Sequence, residues 1–446
     1  MNQAPIPRTF LLRGPLQGRA RVPGDKSISH RALILSALAV GESRIEGLLE
    51  SEDVIATVAA LWAMGAQIDR IDDGIWSVKG VGVGGLLQPE IALDMGNSGT
   101  SARLLMGLVA SHRVTATFIG DASLSKRPMG RVIEPLSRMG ADFSVTPENR
   151  LPLMVHGLVP AVPIEYRLPV ASAQVKSAIM LAALNTPGIS RIIEPEATRD
   201  HSERMMAAFG ADIGIAENDG DRTISVTGEA ELKPQRIEIP GDPSSAAFPL
   251  VAALIVPRSD VLIENVGINP TRTGLFDVLR EMGADLSYEN EREVGGEPVA
   301  DIRARSSSLR GVDIPREIAP LMIDEFPILF VAASVAEGVT RTSGLGELRV
   351  KESDRLAAMA QGLKRCGATL DETEDGLTIT GSGGEKLKSP EGIPEITTHL
   401  DHRIVMSFAV AGLASLHGVA VDDISPMATS FPSFPPMMAD LGAITG

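Results

Sequence analysis

The feature that most constrains the fold of this chain is a Gly-Ala pair that recurs six times at nearly even spacing. The pairs begin at Gly65, Gly140, Gly210, Gly283, Gly367 and Gly442. Neighbouring pairs are 70 to 84 residues apart, and each stands near the end of a helical pattern. Six such helix ends predict six related units, and a unit of this length has room for two helices and several strands.

Residues 44–66 show the pattern within one unit: a strand RIEGLL, a polar turn SED and a helix VIATVAALWAMGA. The following segment, QIDRIDDGIWSVKG, alternates about an Asp-Asp-Gly turn and predicts a hairpin. A second type of helix is apolar on nearly every side, which predicts burial in a domain interior. Six segments have this character: RALILSALAVG, ARLLMGLVAS, KSAIMLAALN, AAFPLVAALIV, FPILFVAASVAEG and MSFAVAGLASLHG.

The apolar runs are too short for membrane spans, because they stop near a dozen residues and a span needs about 20. The first residues carry no charged segment followed by an apolar one, so we expect no secretory signal. A single cysteine, Cys366, cannot form an internal disulfide and is expected to pack in a core. These observations predict a soluble, cytoplasmic protein without membrane contact.

With 446 residues, the chain exceeds the usual size of a single core, and six units divide naturally into two domains of three. The segment PGDKSISHR, which begins at Pro23, has a shorter relative in PGDPSS, which begins at Pro240. We therefore predict an inserted domain of residues 23–240 and a discontinuous domain of residues 1–22 plus 241–446. Two crossover hinges are expected near Val22 and Pro240.

The segment PGDKSISHR combines a Gly turn, Lys26, Ser27 and Arg31 at the start of an apolar helix. Backbone N–H groups at such a start carry partial positive charge, so these residues are suited to hold a phosphate or carboxylate. The alternative is a capped surface helix with solvated charges. A net charge of −16 argues against a nucleic-acid partner and requires any anion site to be a local basic cluster.

Two other polar segments stand before apolar helices, and a third forms a loop before a helix that Pro128 can start. In DMGNSGTSAR, Gly99 permits a close approach of backbone to ligand, and in GDASLSKRPMGR, Arg127 can bind two oxygens of one anion. In ASAQVK, Ser172 and Gln174 are neutral donors suited to sugar-like hydroxyls. For Ser172, simple helix capping is an equally good interpretation.

Two acidic residues in the second half are candidates for proton transfer. Asp324 in IDEFPIL precedes an apolar helix and could merely cap it, whereas Glu352 in RVKESDR could merely pair with Lys351 or Arg355. If the two segments meet beside an anionic ligand, one carboxylate could accept a hydroxyl proton while the other delivers a proton.

These segments, taken in order along the whole chain, resemble the 5-enolpyruvylshikimate-3-phosphate synthase family. The resemblance rests on PGDKSISHR, GNSGTSAR, GDASLSKRPMGR, ASAQVKSA, GDPSS, IDEFPI, RVKESDR and THLDHRIVMSF. It implies an α/β, two-domain enolpyruvyl transferase fold, in which each domain has three βαβαββ units with buried helices in an inside-out α/β barrel. It also implies transfer of the enolpyruvyl group of phosphoenolpyruvate to the 5-hydroxyl of shikimate 3-phosphate in chorismate biosynthesis, without metal or cofactor.

The resemblance also implies roles for individual residues. Shikimate 3-phosphate would be bound by Lys26, Ser27, Arg31, Ser172, Ala173, Gln174, Arg199, Asp324 and Lys351. Phosphoenolpyruvate would be bound by Lys26, Gly99, Arg127, Gln174, Arg355 and Arg403. Asp324 would accept or share the hydroxyl proton, and Glu352 would protonate the methylene carbon to give a tetrahedral intermediate, with Lys26 assisting either step.

Two positions bear on the branch of the family. Tolerant members can carry alanine at the place of Gly99, so the glycine predicts sensitivity to the inhibitor glyphosate. Thr429 stands where the other branch carries a lysine near phosphoenolpyruvate, so that contact is missing or replaced. The rival enzyme, UDP-N-acetylglucosamine enolpyruvyl transferase, typically uses a cysteine in the loop that here reads GDASLSKRPMG. A second rival is a sugar-phosphate-binding protein without turnover. The apolar helices are expected to fill the domain cores and leave no apolar patch that demands a partner, so we expect a monomer whose partners are small anionic substrates.

Overall fold

The computed structural model describes residues 5–12, 14–218 and 220–445. Its helices in chain order are α1 (Lys26–Leu38), α2 (Glu52–Ala63), α3 (Gly99–Ala110), α4 (Gly130–Arg138), α5 (Ala173–Leu184), α6 (His201–Ala208), α7 (Pro243–Ile255), α8 (Gly274–Glu281), α9 (Ala319–Met322), α10 (Phe326–Val335), α11 (Arg355–Arg365), α12 (His402–Leu413) and α13 (Phe434–Asp440). The strands are β1 (Arg8–Leu12), β2 (Gln17–Arg21), β3 (Val40–Glu46), β4 (Gln67–Asp72), β5 (Ile75–Val81), β6 (Leu93–Asp94), β7 (Thr115–Ile119), β8 (Asp142–Ser144), β9 (Leu153–His156), β10 (Glu165–Arg167), β11 (Ile189–Glu194), β12 (Ile213–Asn218), β13 (Asp221–Thr227), β14 (Arg236–Glu238), β15 (Asp260–Gly267), β16 (Asp285–Val294), β17 (Glu297–Arg305), β18 (Val339–Arg341), β19 (Thr369–Glu372), β20 (Leu377–Thr380), β21 (Glu395–Ile396), β22 (Val419–Val421) and β23 (Ala443–Thr445).

The chain forms two compact units. The first contains the described residues up to Pro23, residues 240–293 and the described residues from 297 onward; the second contains the described part of 24–239 together with 294–296. Each unit has three of the six sheets found in the described residues, and each has its own hydrophobic core. The domain bounds 1–22 plus 241–446 and 23–240, and the two hinges, stay a proposal.

Five of the six sheets share one strand order. In the sheet β6-β7-β9-β8, the first strand of the repeat pairs in parallel with the second, and the fourth pairs antiparallel with both the second and the third. The sheet β10-β11-β13-β12 repeats this arrangement. The sheet β18-β20-β19 has isolated parallel bridges, Arg310 to Glu337 and Asp313 to Arg341, in place of a first strand. The helices between these strands complete the predicted βαβαββ pattern.

Three strands pair far from their neighbours in sequence. Strand β2 leads into α1 along the chain but pairs in parallel with β15 of the first unit. Strand β14 leads into α7 but pairs in parallel with β3 of the second unit. Strand β1 supplies the fourth strand of a sheet whose other members are β21, β22 and β23. The first unit is therefore completed by the N-terminal strands.

The two predicted helix types are both present. Nearly every residue of α1, α3, α5, α7, α10 and α12 is buried, as the six apolar segments predicted. In each of the six sequence repeats, the other main helix ends before the Gly-Ala pair. The glycines of these six pairs have φ between 94° and 102°. Glycine is favoured in this left-handed conformation at a helix end because it has no Cβ. The predicted α/β fold with buried helices is confirmed. The strands among the described residues form six separate open sheets and no closed barrel.

Among the residues described, no single helix has both the length and the apolar composition needed to cross a membrane. Only the pair Arg316–Met322 and Phe326–Val335 passes such a test together, and this pair is bent by 118°.

Candidate active site

In the second unit, three buried helices begin close together. The side chains of Asp25, Ser98 and Ser172 cap α1, α3 and α5 by accepting a hydrogen bond from the backbone N–H three residues onward, at 2.9, 3.1 and 3.4 Å. Gln174 Nε2, in the first turn of α5, donates to Thr100 Oγ1, in the first turn of α3, at 3.0 Å. The partial positive charges of these helix starts therefore share one end of the unit, which is suited to anions.

Lys26 and Ser27 occupy the first two positions of α1. The Lys26 ammonium contacts the carboxylate of Asp53, and the Lys26 side chain keeps 19% of its surface exposed. Ser27 is half-buried, whereas every residue of α1 from Ile28 to Leu38 is buried. The sequence thus places one ammonium and one hydroxyl where a ligand at the helix start could reach them.

Arg31 lies one turn further into α1 and is buried. Its Nε donates to Ser202 Oγ at 2.7 Å, and its Nη2 donates to Ser177 Oγ at 2.6 Å. Its Nη1 donates to the backbone oxygen of Ser27 at 2.9 Å. Arg199, which is half-buried, lies in the loop directly before α6, the helix that carries Ser202. Hydroxyl groups thus orient the Arg31 guanidinium at the capped helix starts.

His30 is fully buried between α1, α2 and α3. Its Nδ1 lies 2.8 Å from Thr57 Oγ1, which lies 2.7 Å from Ser101 Oγ. Burial, together with the positive charges of Lys26 and Arg31, lowers the pKa of His30 well below its ordinary value. This imidazole is therefore neutral near pH 7, and its contacts join the start of α3 to α1.

Gly99, Arg127, Gln174 and a further residue, Arg103, are brought together around the start of α3. Arg103 Nη1 donates to Gln174 Oε1 at 2.9 Å and to the backbone oxygen of Gly99 at 3.2 Å. Arg127 Nη2 donates to Asn97 Oδ1 at 2.5 Å. A Cβ at Gly99 would lie 2.7 Å from Arg103 Nη1 and 3.1 Å from Arg127 Nη1. Side-chain growth here would displace both guanidinium groups.

In the first unit, Arg355 is the centre of a cluster of three carboxylates. Its Nε donates to Asp401 Oδ2 at 2.8 Å, its Nη1 to Asp324 Oδ1 at 3.2 Å, and its Nη2 lies 2.5 Å from Glu352 Oε2. Burial disfavours its charge, but the carboxylates of Asp401, Glu352 and Asp324 outweigh burial and raise the pKa of Arg355 above its ordinary value. The two predicted proton-transfer carboxylates thus share one guanidinium.

Lys351 and Arg403 complete this cluster around Asp324. Lys351 Nζ lies 3.7 Å from Asp324 Oδ1, and Arg403 Nη1 donates to the backbone oxygen of Asp324 at 3.0 Å. Thr429 Oγ1 lies 3.3 Å from Nδ1 of His402, the residue before Arg403. Thr429 therefore contacts the residue directly before Arg403, one of the cations of the cluster.

The chain resembles known proteins over nearly its whole length. The family model described as EPSP synthase (3-phosphoshikimate 1-carboxyvinyltransferase) matches residues 12–438. The protein named 3-phosphoshikimate 1-carboxyvinyltransferase from Zymomonas mobilis is 65% identical to this chain, and the alignment covers 96% of this chain and 95% of that protein. The protein of the same name from Sphingopyxis alaskensis is 64% identical, and the alignment covers 99% of each. The chain belongs to the EPSP synthase family. A solved structure of EPSP synthase from Acinetobacter baumannii is similar with a TM-score of 0.86, 45% identity and 99% coverage of each chain.

Membership of the EPSP synthase family agrees with the resemblance read from the motifs. Within the second unit the structure brings together Lys26, Ser27 and Arg31 on α1, Gly99 and Arg127 near α3, and Ser172, Ala173 and Gln174 at α5. Within the first unit it brings together Asp324, Lys351, Glu352, Arg355 and Arg403. For Ser172, the capping interpretation is the one observed.

The sequence predicted no site role for Arg103 or Lys176, although both lie in motif segments of the EPSP synthase family. Lys176 is completely buried, with its Nζ 3.0 Å from Glu194 Oε1 and 2.8 Å from Glu203 Oε1. The segment ASAQVK does not predict these partners, because they lie 18 and 27 residues further along the chain. For Arg103, the spacing of four residues from Gly99 on one helix was a usable signal.

Across residues 5–12, 14–218 and 220–445, no group of three or more His, Cys, Asp or Glu side chains is arranged to hold a metal ion.

Proposed function

We propose that the protein transfers the enolpyruvyl group of phosphoenolpyruvate to the 5-hydroxyl of shikimate 3-phosphate, releasing inorganic phosphate. The observation that carries this assignment is the pair of carboxylates, Asp324 and Glu352, held on the same side chain, Arg355, in a member of the EPSP synthase family. An addition to a double bond needs one group to accept a proton and another to deliver one, and this pair provides both.

The second unit offers a platform for the sugar phosphate. We assign shikimate 3-phosphate to Lys26, Ser27, Arg31, Ser172, Ala173, Gln174 and Arg199, and in the first unit to Asp324 and Lys351. The support for this assignment is the partly exposed ammonium of Lys26 at a helix start and the hydroxyl groups that orient Arg31. Each charge-assisted hydrogen bond to such a ligand contributes about 1.5–3 kcal/mol.

Phosphoenolpyruvate carries a phosphate and a carboxylate, so it needs several cations. We assign it to Lys26, Gly99, Arg127, Gln174, Arg355 and Arg403. Glycine at residue 99 leaves the start of α3 open to an anion between the guanidinium groups of Arg103 and Arg127. Among the assigned cations, Arg355 is the most buried, and its guanidinium also holds the carboxylates assigned to proton transfer.

The chemical step is an addition followed by an elimination. The 5-hydroxyl oxygen bonds to C2 of phosphoenolpyruvate while its proton passes to Asp324, and Glu352 delivers a proton to C3 of the enolpyruvyl group. The product of addition is a tetrahedral intermediate with a methyl group. In the elimination, Glu352 takes back a methyl proton while the bond between C2 and the phosphate oxygen breaks, which restores the double bond. Asp324 returns its proton to the leaving phosphate. Lys26 assists either proton transfer by its positive charge.

The test is inorganic phosphate release from phosphoenolpyruvate with shikimate 3-phosphate, run beside phosphoenolpyruvate with UDP-N-acetylglucosamine. We expect release with shikimate 3-phosphate alone. Release only with the nucleotide sugar would move the assignment to the rival transferase, and release with neither would leave a binding protein. Cys366 does not support the rival, because it is buried at the end of α11 and burial raises the pKa of its thiol to about 12.

Glyphosate should inhibit the protein, because Gly99 leaves room beside Arg103 and Arg127. Gly99→Ala should raise the glyphosate concentration for half-inhibition about tenfold or more, since one methyl in a tight site rejects a ligand by about that factor. Gly130→Ala, at the first position of α4, where the added Cβ would make an ordinary contact with Asn149 Nδ2 at 3.5 Å, is the control. Equal inhibition of all three proteins would contradict the assignment of Gly99.

We also propose that the protein acts as a monomer in the cytoplasm. The cytoplasmic part is supported by the single cysteine, which cannot form a disulfide within the chain. Light scattering after size-exclusion chromatography and fractionation of the source cells test the two parts. A mass of twice 47.0 kDa would contradict the first part.

A further inference from the structure

Glu325, the residue next to Asp324, is a buried carboxylate that the proposed reaction does not use. It is 2% exposed and stands at the N-cap position of α10. Its side chain makes no capping bond to α10. Instead, its Oε1 accepts a hydrogen bond from the hydroxyl of Ser244, which lies 81 residues earlier in the chain. A buried glutamate that leaves its own helix end for a distant hydroxyl needs a specific role, because burying a carboxylate is costly.

Ser244 belongs to PGDPSS, the shorter relative of the segment that opens α1. Asp242 caps α7 by accepting from Ser244 N at 2.9 Å. Arg272, also buried, donates from Nη2 to Ser244 Oγ at 2.9 Å and to Asp242 Oδ1 at 3.0 Å. The Glu325 carboxylate therefore lies at the positive end of a 13-residue helix, one hydrogen bond away from a guanidinium.

The two related segments, PGDKSISHR and PGDPSS, differ in the partner of the serine that they share. Counting from the shared Pro-Gly-Asp, Ser244 occupies the position that Ser27 has in PGDKSISHR, and Pro243 occupies the position of Lys26. In the second unit, that serine is assigned to substrate. In the first unit, the hydroxyl is already bonded to a carboxylate of the chain itself, so the helix start is closed to a ligand.

We propose that Glu325 is a positioning residue for Asp324, an inference that rests on the proposed function. The carboxylate anchored at Ser244 holds the turn before α10 in place. One peptide bond away, Asp324 presents its carboxylate to Arg355 and Lys351 and its backbone oxygen to Arg403. Without the anchor, the turn can rotate, and a displacement of about 1 Å at a reacting group can cost on the order of a hundredfold in rate.

The test is a double-mutant cycle in phosphate release from phosphoenolpyruvate and shikimate 3-phosphate. Glu325→Ala should lower kcat about tenfold or more in protein whose circular dichroism is unchanged, because the Asp324 carboxylate is no longer held. In an Asp324→Asn background, the same change should cost less than about twofold, since the group that it positions is gone. The KM for phosphoenolpyruvate should change less than kcat in both backgrounds.

Ser244→Ala gives a second route that leaves both carboxylates in place. Ser244→Ala alone should also lower kcat. In the double variant with Glu325→Ala, it should add little to the loss that Glu325→Ala causes. Ser334→Ala removes an equally buried hydroxyl near the other end of α10, where it bonds to Val331, and should leave kcat unchanged.

An equal loss of kcat in both Asp324 backgrounds would overturn the positioning role, as would an unchanged kcat in folded Glu325→Ala and Ser244→Ala. Absence of phosphate release from the unaltered protein would instead overturn the proposed function, and this inference with it.

Discussion

Lys176 in the second unit and Arg355 in the first are both buried cations that contact more than one carboxylate, yet their surroundings differ. Lys176 and its partners Glu194 and Glu203 are each at most 1% exposed. Arg355 is equally buried, but two of its partners, Asp324 and Glu352, keep 15% and 19% of their side chains exposed. The carboxylates of the first cluster are closed off, with Arg222, 15% exposed, at its edge 3.9 Å from both glutamates. The second cluster presents two of its carboxylates to the surface.

The difference separates stability from chemistry. A closed ion cluster can only hold helices and strands together, because no ligand can reach its charges. An open one keeps a guanidinium fixed inside while its carboxylates remain able to exchange protons with a ligand. We therefore expect changes in the closed cluster to affect mainly unfolding, and changes at the exposed carboxylates of the open cluster to affect mainly turnover.

The largest expected effect is at the open cluster. Glu352→Gln should lower kcat by about 100-fold to 10,000-fold, the usual contribution of a general acid. The free energy of unfolding should change by less than about 1 kcal/mol, because the glutamate is partly exposed and Arg355 keeps two other carboxylates. Phosphate release and urea unfolding measure the two quantities, with the exposed Glu385→Gln as control. A loss of stability without loss of turnover would break the comparison.

The closed cluster should show the opposite result. Lys176→Met removes the ammonium between two buried glutamates, which should lower the free energy of unfolding by about 3–5 kcal/mol. The kcat of the folded fraction should stay within about twofold of its original value, since Lys176, Glu194 and Glu203 are not assigned to either substrate. Urea unfolding and phosphate release are again the measurements, and Lys79→Met, at an exposed position of β5, is the matched control. A tenfold fall in kcat with unchanged stability would contradict the assignment.

The fully buried carboxylate of the open cluster sharpens the comparison. Asp401 bonds twice to Arg355, accepts from Ser353 Oγ at 2.9 Å and caps α12 through Arg403 N at 2.9 Å. Asp401→Asn should therefore lower the free energy of unfolding by about 2–4 kcal/mol, from the broken ion pair and the weakened cap. If stability is unchanged, burial is not what separates structural from catalytic carboxylates here.

The smallest effect concerns a buried base in the second unit. His30 has a lowered pKa when folded, so its contribution to stability is fully present above the ordinary value of 6.5 and is lost as pH falls from there to the lowered pKa. The unaltered protein should lose up to about 1.4 kcal/mol per pH unit in this window through His30 alone. His30→Asn should unfold with a shallower pH dependence below 6.5, unlike the control His417→Asn at an exposed site. Parallel slopes for all three proteins would contradict this prediction.

Sequence reasoning succeeded where the signal is local. The glycine after each amphipathic helix is needed for a left-handed turn, as the six positive φ angles confirm, and an apolar face on every side of α5 or α10 is itself a sign of burial. The motif segments named the candidate site residues, and the structure brings most of them together within each unit. These features depend on neighbours within about ten residues.

Sequence reasoning failed where partners are distant. Lys176 stands in a motif beside Gln174 and looked no different from a residue at a helix start, but its glutamates arrive from β11 and α6. Glu325 likewise depends on Ser244, which no local pattern links to it. Such contacts follow from how sheets and helices pack in three dimensions, which a single sequence does not encode at short range.

The pairing of β2 with β15, and of β14 with β3, bears on the order in which the chain can fold during its synthesis. All strands of the three sheets in the second unit lie between Val40 and Glu238, so the ribosome has delivered every one of them before it reaches α7. Strands β1 and β2, made first, must wait for β15, β22 and β23. At about 5–20 residues per second, the wait for β23 lasts tens of seconds or more. A nascent chain therefore carries two early strands with unpaired edges, and a chaperone that covers them would act before the last helix is made.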